Sequence, residues 1–273
     1  MQQKEFIEAS PLGDKSAYIT EYDPSLLFPI PRNTPWQPEF TTRPFYGIDV
    51  WNAFEISWLN DKGLPKMALA EFRIPGDSPN IIESKSFKLY LNSFNQTKVF
   101  NATQVQQRIV KDLSAAAGAP VQVTLFSLRD MAMPVLPVPG VSIDQQDIEI
   151  TTYTPDASLL SADSSVYRTE TLHSNLLKSN CPVTGQPDWA TIVVDYEGPT
   201  IDRAGLLAYI VSYREHGDFH EQCVEQIFLD IKAQCKPGQL TVYARYVRRG
   251  GLDINPYRST RPLTPSNHRT QRQ

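Results

Sequence analysis

No apolar run in the sequence is longer than the stretch from Leu206 to Val211, far short of the roughly 20 residues a helix needs to cross a bilayer. The opening MQQKEFIEAS also lacks the apolar centre of a secretory signal. Together these predict a cytoplasmic protein with no membrane partner. Cysteine is scarce: Cys181, Cys223 and Cys235 are odd in number and irregular in spacing, which does not suit a disulfide framework and leaves at least one thiol to explain. Positive charge is not in excess either, with 26 basic against 30 acidic residues. A binder of phosphate backbones needs a basic surface to displace counterions, so the expected partner is a small molecule and not nucleic acid. Neither a G-x-G-x-x-G nor a Walker sequence occurs, so any nucleotide would need a site of another kind.

What is present is enough for a full core: 273 residues, 41% of them hydrophobic and 21% charged. Residues 1–47 are dense in proline, with Pro24, Pro29, Pro31, Pro35, Pro38 and Pro44, and read as an extended arm packed on the surface. From Ile48 the pattern changes. Val50, Phe54, Ile56 and Trp58 recur on roughly alternating positions, and PKMALAEFRI follows after the turn-forming NDKGLP, which predicts a β-hairpin. Phe87, Tyr90, Leu91 and Phe94, then Val105, Ile109 and Leu113, have helical spacing, and VQVTLFSL alternates as a strand. The order is hairpin, two helices, strand.

That order repeats. At a shift of 119 positions, Tyr90, Leu91, Ser93 and Phe94 fall on Tyr209, Ile210, Ser212 and Tyr213, Val105 on Val224 and Val123 on Val242. Two copies of one α+β module follow, with boundaries at 1–47 for the extension, 48–158 for the first module and its connector, and 159–273 for the second module and tail. Between them, MAMPVLPVPGV is a proline-rich connector, and part of SIDQQDIEITTY returns as an edge strand. The tail RSTRPLTPSNHRTQRQ, with four arginines and no acid, reads as solvated and is given no function.

The segment richest in chemistry is SNCPVTGQPDW, residues 179–189. Cys181 and Asp188 lie in a loop stiffened by Pro182 and Pro187, a plausible holder for a nucleophile and an acid, and a thiolate forms more readily than an alkoxide. Spacing alone nevertheless favours a small buried cysteine beside a turn aspartate. In EHGDFHEQCVEQIF, His216, His220 and Cys223 have the spacing of a zinc-binding helix face. Gly217 argues for a break, Asp218 with Glu221 resembles a capping box opening a new helix, and Cys223 joins the apolar stripe of Ile227 and Ile231. His220 and Glu221 then stand in a first helical turn, as caps or as ligand contacts. Glu83 and Lys85 before a helix, and Arg248 and Arg249 before Gly250 and Gly251, offer charge and close backbone approach for phosphates, or solvated caps.

Taken together, these segments resemble the long, two-module form of the 7-cyano-7-deazaguanine reductases. The motif E-(S/L)-K-(S/A)-hydrophobic-K-(L/Y)-aromatic is matched by Glu83, Ser84, Lys85, Ser86, Phe87, Lys88, Leu89 and Tyr90. SNCPVTGQPDW, FHEQCVE and YARYVRRGGLDINP match as well. The resemblance implies an α+β fold of two tandem tunnelling-fold (T-fold) modules, each an antiparallel sheet layered with two helices, and a homodimer. It implies reduction of the nitrile of 7-cyano-7-deazaguanine to 7-aminomethyl-7-deazaguanine, in the queuosine pathway of tRNA modification. Cys181 would form a covalent thioimide and Asp188 would supply a proton. Ile82, Glu83, Ser84, His220 and Glu221 would hold the base. Ser84, Lys85, Arg249 and Gly250 would contact NADPH, used twice per nitrile, and no metal is expected. The rival expectations are a zinc-dependent pterin or purine hydrolase of the same fold, using His216, His220 and Cys223, and a purine-binding protein without chemistry.

Overall fold

The alternation that predicts a hairpin is built as β2 (Tyr46–Leu59) and β3 (Pro65–Pro75), and β3 pairs antiparallel with β5 (Gln122–Phe126). The computed structural model describes residues 18–32, 44–130 and 133–273; the rest of the expected arm, 1–17 and 33–43, and residues 131–132 of the connector lie outside the described residues. The chain divides into two units. The first comprises described residues 18–32, 49–130 and 248–253, the second 44–48, 133–247 and 254–273.

In the first unit the sheet order is β5-β3-β2. Two helices follow the hairpin, α1 (Ser84–Asn92) and α2 (Ala102–Ala117). Helix α2 starts where Asn101 accepts the Gln104 N–H at 2.9 Å and stops at Gly118, whose φ of 70° suits the left-handed cap. Its buried side chains Val105, Ile109, Leu113 and Ala117 recur every four residues. The three larger ones each stabilise the packing by about 1.5–3 kcal/mol. An aromatic cluster fills the core: Phe87 packs on Trp51 at 5.3 Å and on Phe72 at 5.0 Å between ring centroids. Within the arm, β1 (Pro29–Pro31) pairs with β4 (Asn80–Ile82), so this part of it is tied into hydrogen-bonded structure.

The second unit carries the sheet order β10-β9-β8-β7-β6. Strands β7 (Ala162–Asn180) and β8 (Pro187–Ile201) form a long hairpin, followed by helices α3 (Arg203–Ser212) and α4 (His220–Cys235) and strand β9 (Gln239–Tyr246). The expected edge strand is reduced to β6 (Val141–Ser142), parallel to β7; 143–156 contain no strand. Sequence reading missed β10 (Leu252–Ser259), antiparallel to β9. The tail is another correction. Its arginines are not all solvated: Arg258 is fully buried, and Gln273 is buried with its amide bonded to Arg245, Asn255 and the Tyr246 carbonyl.

The duplication is visible as chemistry. Tyr90 donates to Asp112 at 2.6 Å, and Tyr209 donates to Asp230 at 2.5 Å. Ser93 and Ser212 each return a 2.6 Å bond to the carbonyl three residues earlier. Glu83 and Asp202, 119 apart like Tyr90 and Tyr209, both cap the first helix of their module by accepting two backbone N–H groups. The repeat reaches further upstream as well. Asp23 accepts both the N–H and hydroxyl of Ser25, and Asp156 does the same for Ser158, at 2.9 and 2.6 Å in each case. The fold is thus the α+β, two-module T-fold arrangement that the resemblance implies.

One buried ion pair gives a stability test. Arg258 Nη2 donates to Glu225 Oε1 at 2.6 Å and Nε to the same oxygen at 3.1 Å, with both side chains nearly inaccessible. Glu225→Ala would remove the carboxylate that balances a buried guanidinium, which keeps its bond to the Tyr257 carbonyl, so the unfolding free energy in urea should fall by about 3–5 kcal/mol. A loss below about 1 kcal/mol would show that the pair behaves like a surface one.

Candidate active site

The β7–β8 hairpin ends in a loop from Cys181 to Gln186. Ser179 pairs with Asp188 and Asn180 with Pro187, and the loop closes through Cys181 N–H to the Gln186 carbonyl at 2.8 Å and Gly185 N–H to the Cys181 carbonyl at 3.0 Å. Gly185 supplies the positive φ of 66° that this tight turn requires. Side chains two apart along a strand share a face, and diagonal neighbours across an antiparallel pair lie within reach of one another. Cys181 is the first residue past β7, two positions beyond Ser179, the strand partner of Asp188; Cys181 and Asp188 are both buried, at 5% and 7% exposure.

A second segment is bound to this loop. Asn180 N–H donates to the His216 carbonyl at 2.8 Å, and Asp218 N–H returns a 3.1 Å bond to the Asn180 carbonyl. Gly217 lies between them, and a Cβ there would stand 3.6 Å from Pro182 Cα. The helix is therefore interrupted as expected, and α4 begins at His220. The expected capping box is not formed. The N-cap is Phe219, without a side-chain cap bond, because Asp218 is already engaged, its carboxylate accepting the Phe219 N–H at 2.8 Å and its own N–H serving Asn180.

This brings His220 to the acid: Nε2 lies 3.3 Å from Asp188 Oδ2. The His220 ring stacks on Tyr246, centroids 3.7 Å apart and planes 6° from parallel. Glu221, the next residue of the helix, is 3% exposed. Beneath them Cys223 is fully buried, and its thiol is pushed well above the ordinary range by burial, then by the charge of Asp218. Cys223 is thus a core thiol. His216 instead approaches Asp218 at 3.7 Å, and no group of three metal-ligating side chains occurs among the described residues. Sequence reading missed Tyr246; the strand alternation that puts it opposite Ala190 was the available signal.

The remaining expected residues fall in the first unit. Ile82 ends β4, buried, and Glu83 is fully buried as the cap of α1, accepting the Lys85 and Ser86 N–H groups, each at 2.6 Å. Ser84 and Lys85 open the helix. Arg249 and Gly250 form a tight turn, with the Arg249 and Leu252 backbones exchanging bonds at 2.9 and 3.2 Å and both Gly250 and Gly251 at positive φ. A Cβ added at Gly250 would reach Lys88 Cγ at 4.0 Å, so the turn lies against α1. Lys88, ion-paired with Glu55, joins this basic cluster.

Burial raises the Glu83 pKa, against the backbone N–H bonds that lower it. The folded chain therefore holds a proton that the unfolded chain has already lost, from the ordinary glutamate range up to the raised value, and stability falls as pH rises through that window. Glu83→Gln cannot ionise. The unfolding free energy of the parent relative to this variant should shrink as pH rises from about 4.5, Glu83's usual value, toward neutrality; a pH-independent difference would contradict the assignment.

A cavity of about 780 Å³ in the second unit is lined by Asp163, Arg168, Ile201, Asp202 and Arg203 among others. It sits where β7 begins and β8 ends, the opposite end of the hairpin from Cys181, and is lined by none of the expected site residues.

Comparison with known families gives two matches. A model described as nitrile reductase, 7-cyano-7-deazaguanine-reductase N-term, matches residues 18–125, and one described as QueF-like protein matches residues 187–263. Ile82 to Lys85 fall in the first; Asp188, His220, Glu221, Arg249 and Gly250 fall in the second, and Cys181 lies just before it. Among solved structures, the archaeosine synthase QueF-Like in the apo form is similar over 36% of this chain and 96% of that one, at 18% identity and a TM-score of 0.30. A likeness of that size decides nothing about this chain. No helix among the described residues is long and apolar enough to cross a membrane.

Proposed function

The chain belongs to the 7-cyano-7-deazaguanine nitrile reductase family, and from that premise we propose that it reduces the nitrile of 7-cyano-7-deazaguanine to an aminomethyl group, with Cys181 as nucleophile and Asp188 as proton carrier. The observation that supports this reading is the end of the β7–β8 hairpin, where the buried Cys181 stands two residues past Ser179, the strand partner of Asp188, and the buried Asp188 carboxyl lies 3.3 Å from His220 Nε2.

In the first step the Cys181 sulfur bonds to the nitrile carbon and one C–N π bond opens. The thiol proton passes to Asp188 and from there to the nitrogen, leaving a neutral covalent thioimide. Charge never has to persist on nitrogen, which suits a site this buried. His220, with Nε2 3.3 Å from Asp188 Oδ2, holds the carboxyl in place. Glu83 and Glu221 provide carboxylates for the amino and ring N–H donors of a guanine-type edge, a strong class of hydrogen bond.

Ser84, Lys85, Arg249 and Gly250 are assigned to NADPH. The residue types suit a phosphate at Gly250, where an added Cβ would meet only Lys88 Cγ at 4.0 Å, while Gly251 lies against the Glu55 carboxylate that pairs with Lys88. When bound, NADPH supplies hydride, two equivalents per nitrile. The protein acts in the cytoplasm as a homodimer, without metal.

The test is consumption of NADPH in the presence of 7-cyano-7-deazaguanine, followed at 340 nm. Two NADPH should disappear for each aminomethyl product formed. Oxidation that proceeds equally without the nitrile, or none with it, would overturn the reading.

A further inference from the structure

A histidine ring is ordinarily fixed by a hydrogen bond at each nitrogen, the one away from the reacting partner setting its tautomer and rotation. His220 lacks that second anchor. Its Nε2 faces Asp188, but its Nδ1 is buried with no hydrogen-bond partner. The ring could rotate about its Cβ–Cγ bond without breaking any bond at Nδ1, yet it lies almost parallel to the Tyr246 ring at 3.7 Å.

Tyr246 itself is well held. It is fully buried on β9, opposite Ala190 of β8, and its carbonyl accepts the Gln273 amide at 3.0 Å. That amide also donates to Asn255 at 2.7 Å, tying β9 to β10, while its oxygen accepts Arg245 Nε at 3.0 Å. Its hydroxyl, by contrast, is buried near Ser179 and Cys223 without a hydrogen bond of ordinary geometry. What Tyr246 offers the site is therefore its ring face and not its hydroxyl.

We infer that Tyr246 is a positioning residue: its ring is the platform that fixes the rotation of His220 and so keeps Nε2 against Asp188 during proton transfer to the nitrile. The inference rests on the proposed nitrile chemistry and adds to it a residue that touches neither substrate nor cofactor.

The experiment measures the rate at which the full-length protein gains covalent substrate mass from 7-cyano-7-deazaguanine without NADPH, in a double-mutant cycle. Tyr246→Phe keeps the ring and should stay within threefold of the parent. Tyr246→Leu and Tyr246→Met remove it and should slow adduct formation more than tenfold. In a His220→Ala background, Tyr246→Leu should change the rate less than twofold, because the platform then has nothing to hold. A purely structural role predicts the same loss in both backgrounds, and that result would overturn the inference. Should neither ring-less variant fold, the phenylalanine variant still decides, since a loss above tenfold with the ring intact would refute the platform. If the parent forms no adduct, the nitrile reading fails; if the parent reacts and Tyr246→Leu reacts equally fast, only the positioning role fails.

Discussion

Replacing Cys181 with alanine should abolish nitrile-dependent NADPH oxidation, a loss of about 10⁴-fold or more, the scale seen when a covalent nucleophile is removed from a site that otherwise remains intact. The methyl group of alanine fits the space, since Cys181 is buried at the end of a rung and its backbone, not its sulfur, closes the loop to Gln186 and Gly185. Folding should therefore be unchanged by circular dichroism. The other two thiols serve as controls. Cys223 and Cys235 are buried, the first pushed well above the ordinary thiol range and the second to about 11, both mainly by burial, so at neutral pH neither offers a thiolate to take over. Substitution of Cys235 by alanine should leave the rate unaffected, whereas residual activity in Cys181→Ala near the parent value would remove the cysteine from the mechanism.

Asp188→Asn should slow addition of the thiol by about 100-fold or more, the usual contribution of a positioned acid or base, equivalent to at least ~2.7 kcal/mol of transition-state stabilisation. The asparagine is nearly isosteric and keeps an oxygen for His220, but it cannot receive the thiol proton and pass it on. The loss should appear in the rate of adduct formation and not in the affinity for the base, whose hydrogen bonds are assigned to Glu83 and Glu221. A variant that loses affinity but keeps its rate would make Asp188 a binding residue instead.

Most of the module order was legible because each element follows one period. Alternation marked β2, and four-residue spacing marked α2, where Val105, Ile109 and Leu113 are all buried. Strand β10 was not legible: every residue of it is buried, including Asp253, Asn255, Pro256 and Arg258, so polar groups paired inside the protein erase the alternation that a half-exposed strand would show. The tail misled for the same reason, since Arg258 pairs with Glu225 of α4 and Gln273 bonds to the sheet, both inside the protein. The capping box failed because two chain segments compete for Asp218, a tertiary fact. In the site, the residue types at 181, 188 and 220 were readable, but the 3.3 Å contact of His220 with Asp188 arises only because Asn180 grips the His216–Asp218 backbone. The Tyr246 platform lies 26 residues further along the chain; alternation along β9 could assign its ring to a face, but not to the His220 ring.

The central claim is that the sulfur of Cys181 bonds to the nitrile carbon before any hydride arrives. Intact-mass measurement of the full-length protein incubated with 7-cyano-7-deazaguanine, without NADPH, tests it directly. The account predicts a gain of one substrate mass per chain, localised by peptide mapping to the segment containing Cys181 and absent from Cys181→Ala. An unchanged mass in the parent under conditions that support turnover, or an adduct that persists in Cys181→Ala, would contradict it.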